Sequence, residues 1–215
     1  MPETGLAAAA VQIDKPPSIH GPMAAMQLIY DYLFVAMWIA WGLWWIASAR
    51  DVKTPLRRES TLSRWAHFGP LILCGFLLST GGRIWQPLAL PFMVRTVTTF
   101  WIAASVTATG LLFAAWARRH IGRNWSGSVS IKSDHELITT GPYRMVRHPI
   151  YTGLLTAFAG TAFVVGEVRG LLAFTIAFMA LWRKLKLEER YMREQFGQAY
   201  VDYSKRVAAI VPFLL

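Results

Sequence analysis

The sequence predicts an all-α integral membrane protein of about five transmembrane segments, three spans followed by a C-terminal helical hairpin. Two observations carry this prediction. Apolar residues make up 54% of the 215-residue chain. They are gathered into long runs instead of being spread at the period of a soluble helix. Lys and Arg also alternate between the connections: one, five, two, six, one and seven from the N-terminal to the C-terminal tail. Under the positive-inside rule that alternation puts the N-terminus outside and the C-terminus in the cytoplasm. It accounts for the net charge of +10 without a nucleic-acid partner. A basic chain rich in Ala and Trp suggests a bacterial inner membrane.

In chain order, residues 1–24 form a tail punctuated by Pro16-Pro17 and Gly21-Pro22. Residues 25–117 hold three spans, at Ala25–Ala49, Trp65–Thr80 and Val94–Ala117. Asp31 sits near the start of the first span, where Tyr30 and Tyr32 place it at the aqueous interface; Trp44 and Trp45 at the far end suit an aromatic belt. The only cysteine, Cys74, lies in an apolar run and reads as a small buried side chain, not part of a disulfide or metal framework. Residues 118–215 form the region expected to act. It divides into a loop at 118–149, a hairpin at 150–182 turning at Glu167-Val168-Arg169, and a helix and tail at 183–215. Gly153, Ala157 and Thr161 lie four apart, a small-residue stripe that lets another helix approach closely.

The stretch His135–Gly153 reads HELITTGPYRMVRHPIYTG. Gly141-Pro142 and His148-Pro149 break regular structure beside an apolar run, because proline fixes φ and lacks an N–H. Irregular backbone at a membrane edge is costly unless protein or a ligand satisfies its polar groups. After the hairpin, Leu185, Leu187, Tyr191, Met192 and Phe196 fall on one half of a helix ending at Gly197. Glu188 falls in the middle of that apolar half and needs a partner, a cationic ligand or Arg147. Glu189 lies at the border and is explained by an i,i+4 pair with Arg193. The five histidines are scattered and no metal-ligand spacing is present, so no metal is expected. Backbone N–H groups, an arginine, aromatic rings and an inward carboxylate suit a zwitterionic or cationic small molecule bound beside an amphiphilic substrate.

On these residues the chain resembles the isoprenylcysteine carboxyl methyltransferases and the related membrane phospholipid methyltransferases. His135, Leu137, Ile138, Thr139, Gly141, Tyr143, Arg147, His148, Pro149, Tyr151 and Gly153 match the family's loop motif. Glu188, Glu189, Phe196, Gly197, Tyr200, Tyr203, Arg206, Val207, Pro212 and Phe213 match the downstream one. The resemblance covers about the last 95 residues; the first two spans carry no recognised motif.

The resemblance implies a methyltransferase using S-adenosylmethionine on the cytoplasmic side, with the amphipathic helix and the loop forming the cofactor site. His135, Leu137, Ile138, Gly141, Pro142, Tyr143, His148, Pro149, Tyr151, Glu188 and Glu189 are the implied cofactor residues. Arg147 and Glu188 are the implied catalytic pair. Arg147 would orient a substrate carboxylate bidentately, with Asn124 and Trp125 at a lipid-substrate entrance. The acceptor is expected to be an isoprenylcysteine-like or other lipidic carboxylate drawn from the bilayer. An ethanolamine head group methylated on nitrogen is the alternative, and a non-catalytic membrane scaffold the second.

Overall fold

The computed structural model describes residues 22–48, 57–58, 60–79, 86–125, 130–131 and 136–212. His135, the end of the second predicted span at Thr80, and Phe213 lie outside the described residues, as does the side chain of Asp31. Six α-helices carry the fold: α1 (Pro22–Ser48), α2 (Thr61–Ser79), α3 (Val97–Ile121), α4 (Pro149–Val165), α5 (Val168–Phe196) and α6 (Gln198–Arg206). A two-residue antiparallel ladder pairs Arg57–Arg58 with Ser130–Ile131.

Local chemistry sets the helix ends. Thr96 and Thr99 form a reciprocal capping box at the start of α3. Arg118, Arg119 and His120 close the same helix, where cations suit the negative end of its dipole. Pro149 opens α4 at the position where a missing N–H costs nothing. Gly166, at φ 62°, ends it in the left-handed conformation.

The α3–α4 pair is the most extensive packing in the molecule. A Cβ on Gly110 would stand 2.5 Å from the carbonyl oxygen of Gly153, and one on Gly153 the same distance from that of Gly110. The two backbones therefore touch, and the small-residue stripe of α4 supplies the contact through Gly153 and Ala157. Thr161 lies elsewhere: its hydroxyl accepts from Trp38 Nε1 on α1 at 3.0 Å and donates to the Ala157 carbonyl at 2.8 Å. The thiol of Cys74 is buried against α5 and donates to the Ala173 carbonyl at 3.1 Å.

The connections meet at two opposite ends of the bundle. At one end the short ladder joins the loops after α1 and α3. At the other, Phe92 N bonds Gly166 O at 2.9 Å and Val168 N bonds Leu90 O at 3.0 Å, joining the loop after α2 to the hairpin tip. The hairpin turns where expected, but its second leg does not stop at Trp182. It runs on as the amphipathic segment to Phe196, a single helix of 29 residues. Arg183 changes the composition without breaking the backbone, since no proline interrupts Val168–Phe196.

Among the described residues one helix, Val97–Asn124, is long and apolar enough to cross a membrane; Tyr32–Ser48 and Pro149–Val165 are shorter apolar stretches.

Candidate active site

The loop motif folds onto the C-terminal tail. Gly141, at φ 59°, begins a 3-10 turn, Gly141–Arg144, and a side chain there would collide with the His120 ring. His148 is held out of the helical region by the proline after it, at φ −122°. The N–H groups freed by this break are satisfied by the tail: Arg147 N bonds Ala208 O at 2.8 Å and His148 N bonds Ala209 O at 3.0 Å. Thr152 Oγ1 donates to Ile210 O at 2.7 Å, and the buried Tyr203 hydroxyl donates to Tyr143 O at 2.5 Å. The irregular backbone is thus answered by protein.

Arg147 is the rivet of this contact. Its Nε and Nη2 donate to Glu189 Oε1 at 3.0 and 2.6 Å. Its Nη1 donates to the carbonyls of Ser204, at 2.9 Å, and Val207. The Tyr200 hydroxyl also lies beside the Arg147 guanidinium. The motif arginine therefore meets Glu189, not Glu188. Burial alone would raise the Glu189 carboxyl; His148 and the Arg147 guanidinium outweigh it and bring its pKa to about 2. The expected i,i+4 contact is also present, with Arg193 Nη2 3.6 Å from Glu189.

Glu188, one residue earlier and so about 100° around the helix, has other neighbours. The Tyr151 hydroxyl donates to it at 2.5 Å. His148 Nδ1 lies 3.5 Å away and Lys184 Nζ 4.0 Å away. Burial raises its pKa, but the bond with His148, the charge of Lys184 and the Tyr151 hydroxyl win, so Glu188 stays ionised. Burial likewise pushes the His148 imidazole down, and the two glutamates hold it above its ordinary value. The His148 and Tyr151 rings stack with centroids 5.5 Å apart and 3° between planes.

These groups form one end of a cavity of about 670 Å³. Its other walls are mostly apolar. Trp38, Trp41 and Trp45 come from α1, Phe68, Leu71 and Leu78 from α2, and Leu154, Phe158 and Thr161 from α4. Along α4 the lining runs from Pro149 to Thr161, about 18 Å of helix. The cavity is therefore a polar chamber opening into a long apolar slot, the shape of an amphiphile.

Most of the residues singled out from the sequence border this cavity. Leu137, Ile138, Tyr143, Arg147, His148, Pro149, Tyr151 and Glu188 line its polar end, and Asn124 and Trp125 line it beside Trp45. Gly141, Pro142 and Glu189 stand behind it, shaping the loop and holding Arg147. Sequence reasoning missed Lys184, although it lies one turn before Glu188 and so on the same face. It also missed the walls from α1 and α2, including the buried His67. Trp45 lines the cavity instead of serving only an interfacial belt. Among the described residues, no group of three His, Cys, Asp or Glu side chains is placed to hold a metal ion.

Stretches of this chain are similar to known proteins. The model of the phospholipid methyltransferase family matches residues 98–199. Protein-S-isoprenylcysteine O-methyltransferase B of Arabidopsis thaliana is 33% identical over 99 residues, 43% of this chain and 49% of its own. The protein-S-isoprenylcysteine O-methyltransferase of Schizosaccharomyces pombe is 28% identical over 166 residues, 73% of this chain and 63% of its own. The chain spans about half the length of the first curated relatives it matches.

The solved structure of a eukaryotic intramembrane Ras methyltransferase, isoprenylcysteine carboxyl methyltransferase, superposes with a TM-score of 0.51 at 22% identity. It covers 72% of this chain and 52% of that one, and speaks for the fold alone. The family match spans α3, the loop, the hairpin and the helix bearing Glu188, and over these elements the chain is similar to the phospholipid and isoprenylcysteine carboxyl methyltransferases.

Proposed function

We propose that this protein is an integral membrane methyltransferase that esterifies the carboxylate of a lipidic acid, isoprenylcysteine-like in its chemistry, using S-adenosylmethionine. The observation that carries this reading is the two-part cavity, in which an ionised carboxylate and aromatic rings adjoin an apolar slot. The residues fit the donor: Glu188 faces the cavity with its charge intact, as an ammonium or ribose hydroxyls require, and the Tyr143 and Tyr151 rings favour a cationic sulfur. S-adenosylmethionine, when bound, supplies a methyl group on a sulfonium.

In this reading Glu188 holds the donor, and Tyr151 and His148 fix the angle of its carboxylate. Leu137, Ile138 and Pro149 wall the nucleoside, with Gly141 and Pro142 shaping the turn and His135 completing the motif. Glu189 holds Arg147 in place at the polar end of the cavity, where it faces the acceptor. Asn124, Trp125 and the tryptophans of α1 take the lipid chain. The slot excludes water and brings the two reactants into line, which lowers the entropic part of the barrier.

The reading keeps five membrane segments, the N-terminus outside and the polar chamber cytoplasmic. It assigns 25–117 to the helices that wall the slot and 118–215 to the catalytic region, in a bacterial inner membrane. The family's phospholipid members supply a second reading, N-methylation of an ethanolamine head group.

One experiment separates the two. Purified protein is supplied with methyl-labelled S-adenosylmethionine and either S-farnesyl-N-acetylcysteine or phosphatidylethanolamine, and the products are treated with base. Label released as methanol from the farnesyl acid supports esterification. Base-stable label on phosphatidylethanolamine would replace this reading with the second, and no label on either would remove both.

A further inference from the structure

The slot has a far wall, and a polar contact between two helices holds it. Along α1 the lining begins at Phe34, and along α4 it ends at Thr161. Trp38 stands at this level. Its Nε1 donates to Thr161 Oγ1 at 3.0 Å, and its ring centre lies 4.9 Å from that of Phe158. The Thr161 hydroxyl is itself fixed, because it donates to the Ala157 carbonyl at 2.8 Å. One turn back along α1, Phe34 is 8% exposed and meets Phe100 of α3 edge-on, with centroids 5.6 Å apart. The indole is therefore pinned at its nitrogen and packed on its ring, with a second ring one turn behind it.

We propose that Trp38, latched by Thr161, is the length gauge of the acceptor and stops a chain of three isoprene units. This rests on the methyl-transfer reading above. The lined face of α4, Pro149 to Thr161, is about 18 Å long. With C–C bonds of about 1.5 Å in zigzag, the four in-line carbons of an isoprene unit advance about 5 Å. Three units then measure about 15 Å and four about 20 Å. With the head group held in the polar chamber, three units end at the indole and a fourth runs into it.

The latch is what makes this wall a stop. An apolar side chain such as Leu can swing between staggered rotamers and let a longer chain past. Trp38 cannot swing without breaking its bond to Thr161, which leaves an indole N–H unpaired in apolar surroundings, a costly state. A chain one unit too long must break that bond or fold back on itself, and forcing extra carbons into a packed wall is penalised in the same way as overpacking a core.

The test measures dissociation constants in detergent micelles for N-acetylcysteine thioethers carrying two, three or four isoprene units. Wild type, Trp38→Leu and Thr161→Val are compared, each confirmed folded by its melting transition. Partition into the micelle is common to all three proteins, and the two-unit thioether, which ends short of the wall, is the reference for each. Wild type is expected to bind the four-unit thioether about tenfold more weakly than the three-unit one. Trp38→Leu should erase or reverse that drop. Thr161→Val keeps the size of the wall and removes the latch, and should reduce the drop part-way. S-adenosylhomocysteine binding to wild type, measured alongside, tests the methyl-transfer reading by itself. A wild-type affinity that does not fall from three units to four, or a fall that Trp38→Leu leaves in place, overturns the gauge and leaves that reading standing. Variants that melt lower yet keep the wild-type chain preference also overturn it, by making the Trp38–Thr161 bond a helix clamp only. A wild type that binds none of the thioethers removes the lipidic-acid reading, and the gauge with it.

Discussion

Two ends of the bundle carry nearly the same ionic device, and only one opens on the cavity. At the hairpin tip, Glu167 accepts from both Arg95 and Arg169. Those arginines also serve the carbonyls of Val165 and Leu77. At the other end Glu189 accepts from Arg147, which serves the carbonyls of Ser204 and Val207. In both places an arginine satisfies chain-end carbonyls while a carboxylate balances its charge. Both devices therefore hold segments together. What separates the ends is the residue beside the carboxylate. Glu188 adjoins Glu189 and faces the cavity with Tyr151, His148 and Lys184 around it. None of Arg95, Glu167 or Arg169 lines that space. The motif arginine and its glutamate thus hold the loop to the tail here, and the donor site is proposed to lie with the neighbour.

The largest effect should come from breaking the rivet. Glu189→Ala leaves the Arg147 side chain, 11% exposed, without its counter-charge. The variant should lose about 3–5 kcal/mol of stability, read as a lower unfolding midpoint in detergent. The loss should depend on acid in a defined direction. The folded Glu189 pKa, about 2, lies below the free value of 4.5. Its contribution is therefore full above 4.5 and disappears as pH falls from there toward 2. Wild type and Glu189→Ala should converge in that window.

Glu167→Ala at the opposite end strips the counter-charge from Arg169, 7% exposed, as well as from Arg95, 59% exposed, and should cost a similar amount, about 3 kcal/mol. Affinity for S-adenosylmethionine, measured by calorimetry on the folded fraction, should not change. A loss of affinity there would break the contrast between the two ends.

His148→Asn probes the cavity side through pH. The His148 pKa is raised above 6.5 in the fold, so its charged form stabilises fully below that value and the gain fades as pH climbs through the folded pKa. The melting deficit of the variant should be greatest near pH 6 and shrink on going alkaline. A deficit that grows with pH would contradict the arrangement of His148 between two carboxylates.

The smallest effect belongs to Tyr151→Phe. It removes one hydrogen bond to the Glu188 carboxylate and should weaken S-adenosylmethionine binding by about tenfold. Stability should stay close to wild type.

The sequence made the helices and their pairing by end largely legible. Apolar runs locate α1, α3 and the hairpin, and the Lys and Arg alternation separates the connections into the two groups that meet at opposite ends. The continuity of α5 was not legible, because a change from apolar to charged residues at Arg183 looks like a boundary while the backbone has no reason to stop. Glu188 and Glu189 show the limit for the site. A helical wheel gives each its angle, but which one meets Arg147 depends on where the loop after α3 docks, and that is a long-range fact. The slot walls from α1 and α2 were invisible for a similar reason: a tryptophan on a lipid-facing stripe and one facing a cavity have the same local pattern. Gly141 carried its own explanation only in part, since the His120 ring that fills its side-chain space is 21 residues away.

The most direct test of the central claim is calorimetric titration of S-adenosylmethionine into detergent-purified wild type, Glu188→Ala and Glu167→Ala, each confirmed folded by its melting transition. The account predicts saturable binding to wild type and Glu167→Ala, and its loss in Glu188→Ala. Absence of saturable binding to the folded wild type, or binding that Glu188→Ala leaves untouched, would contradict it.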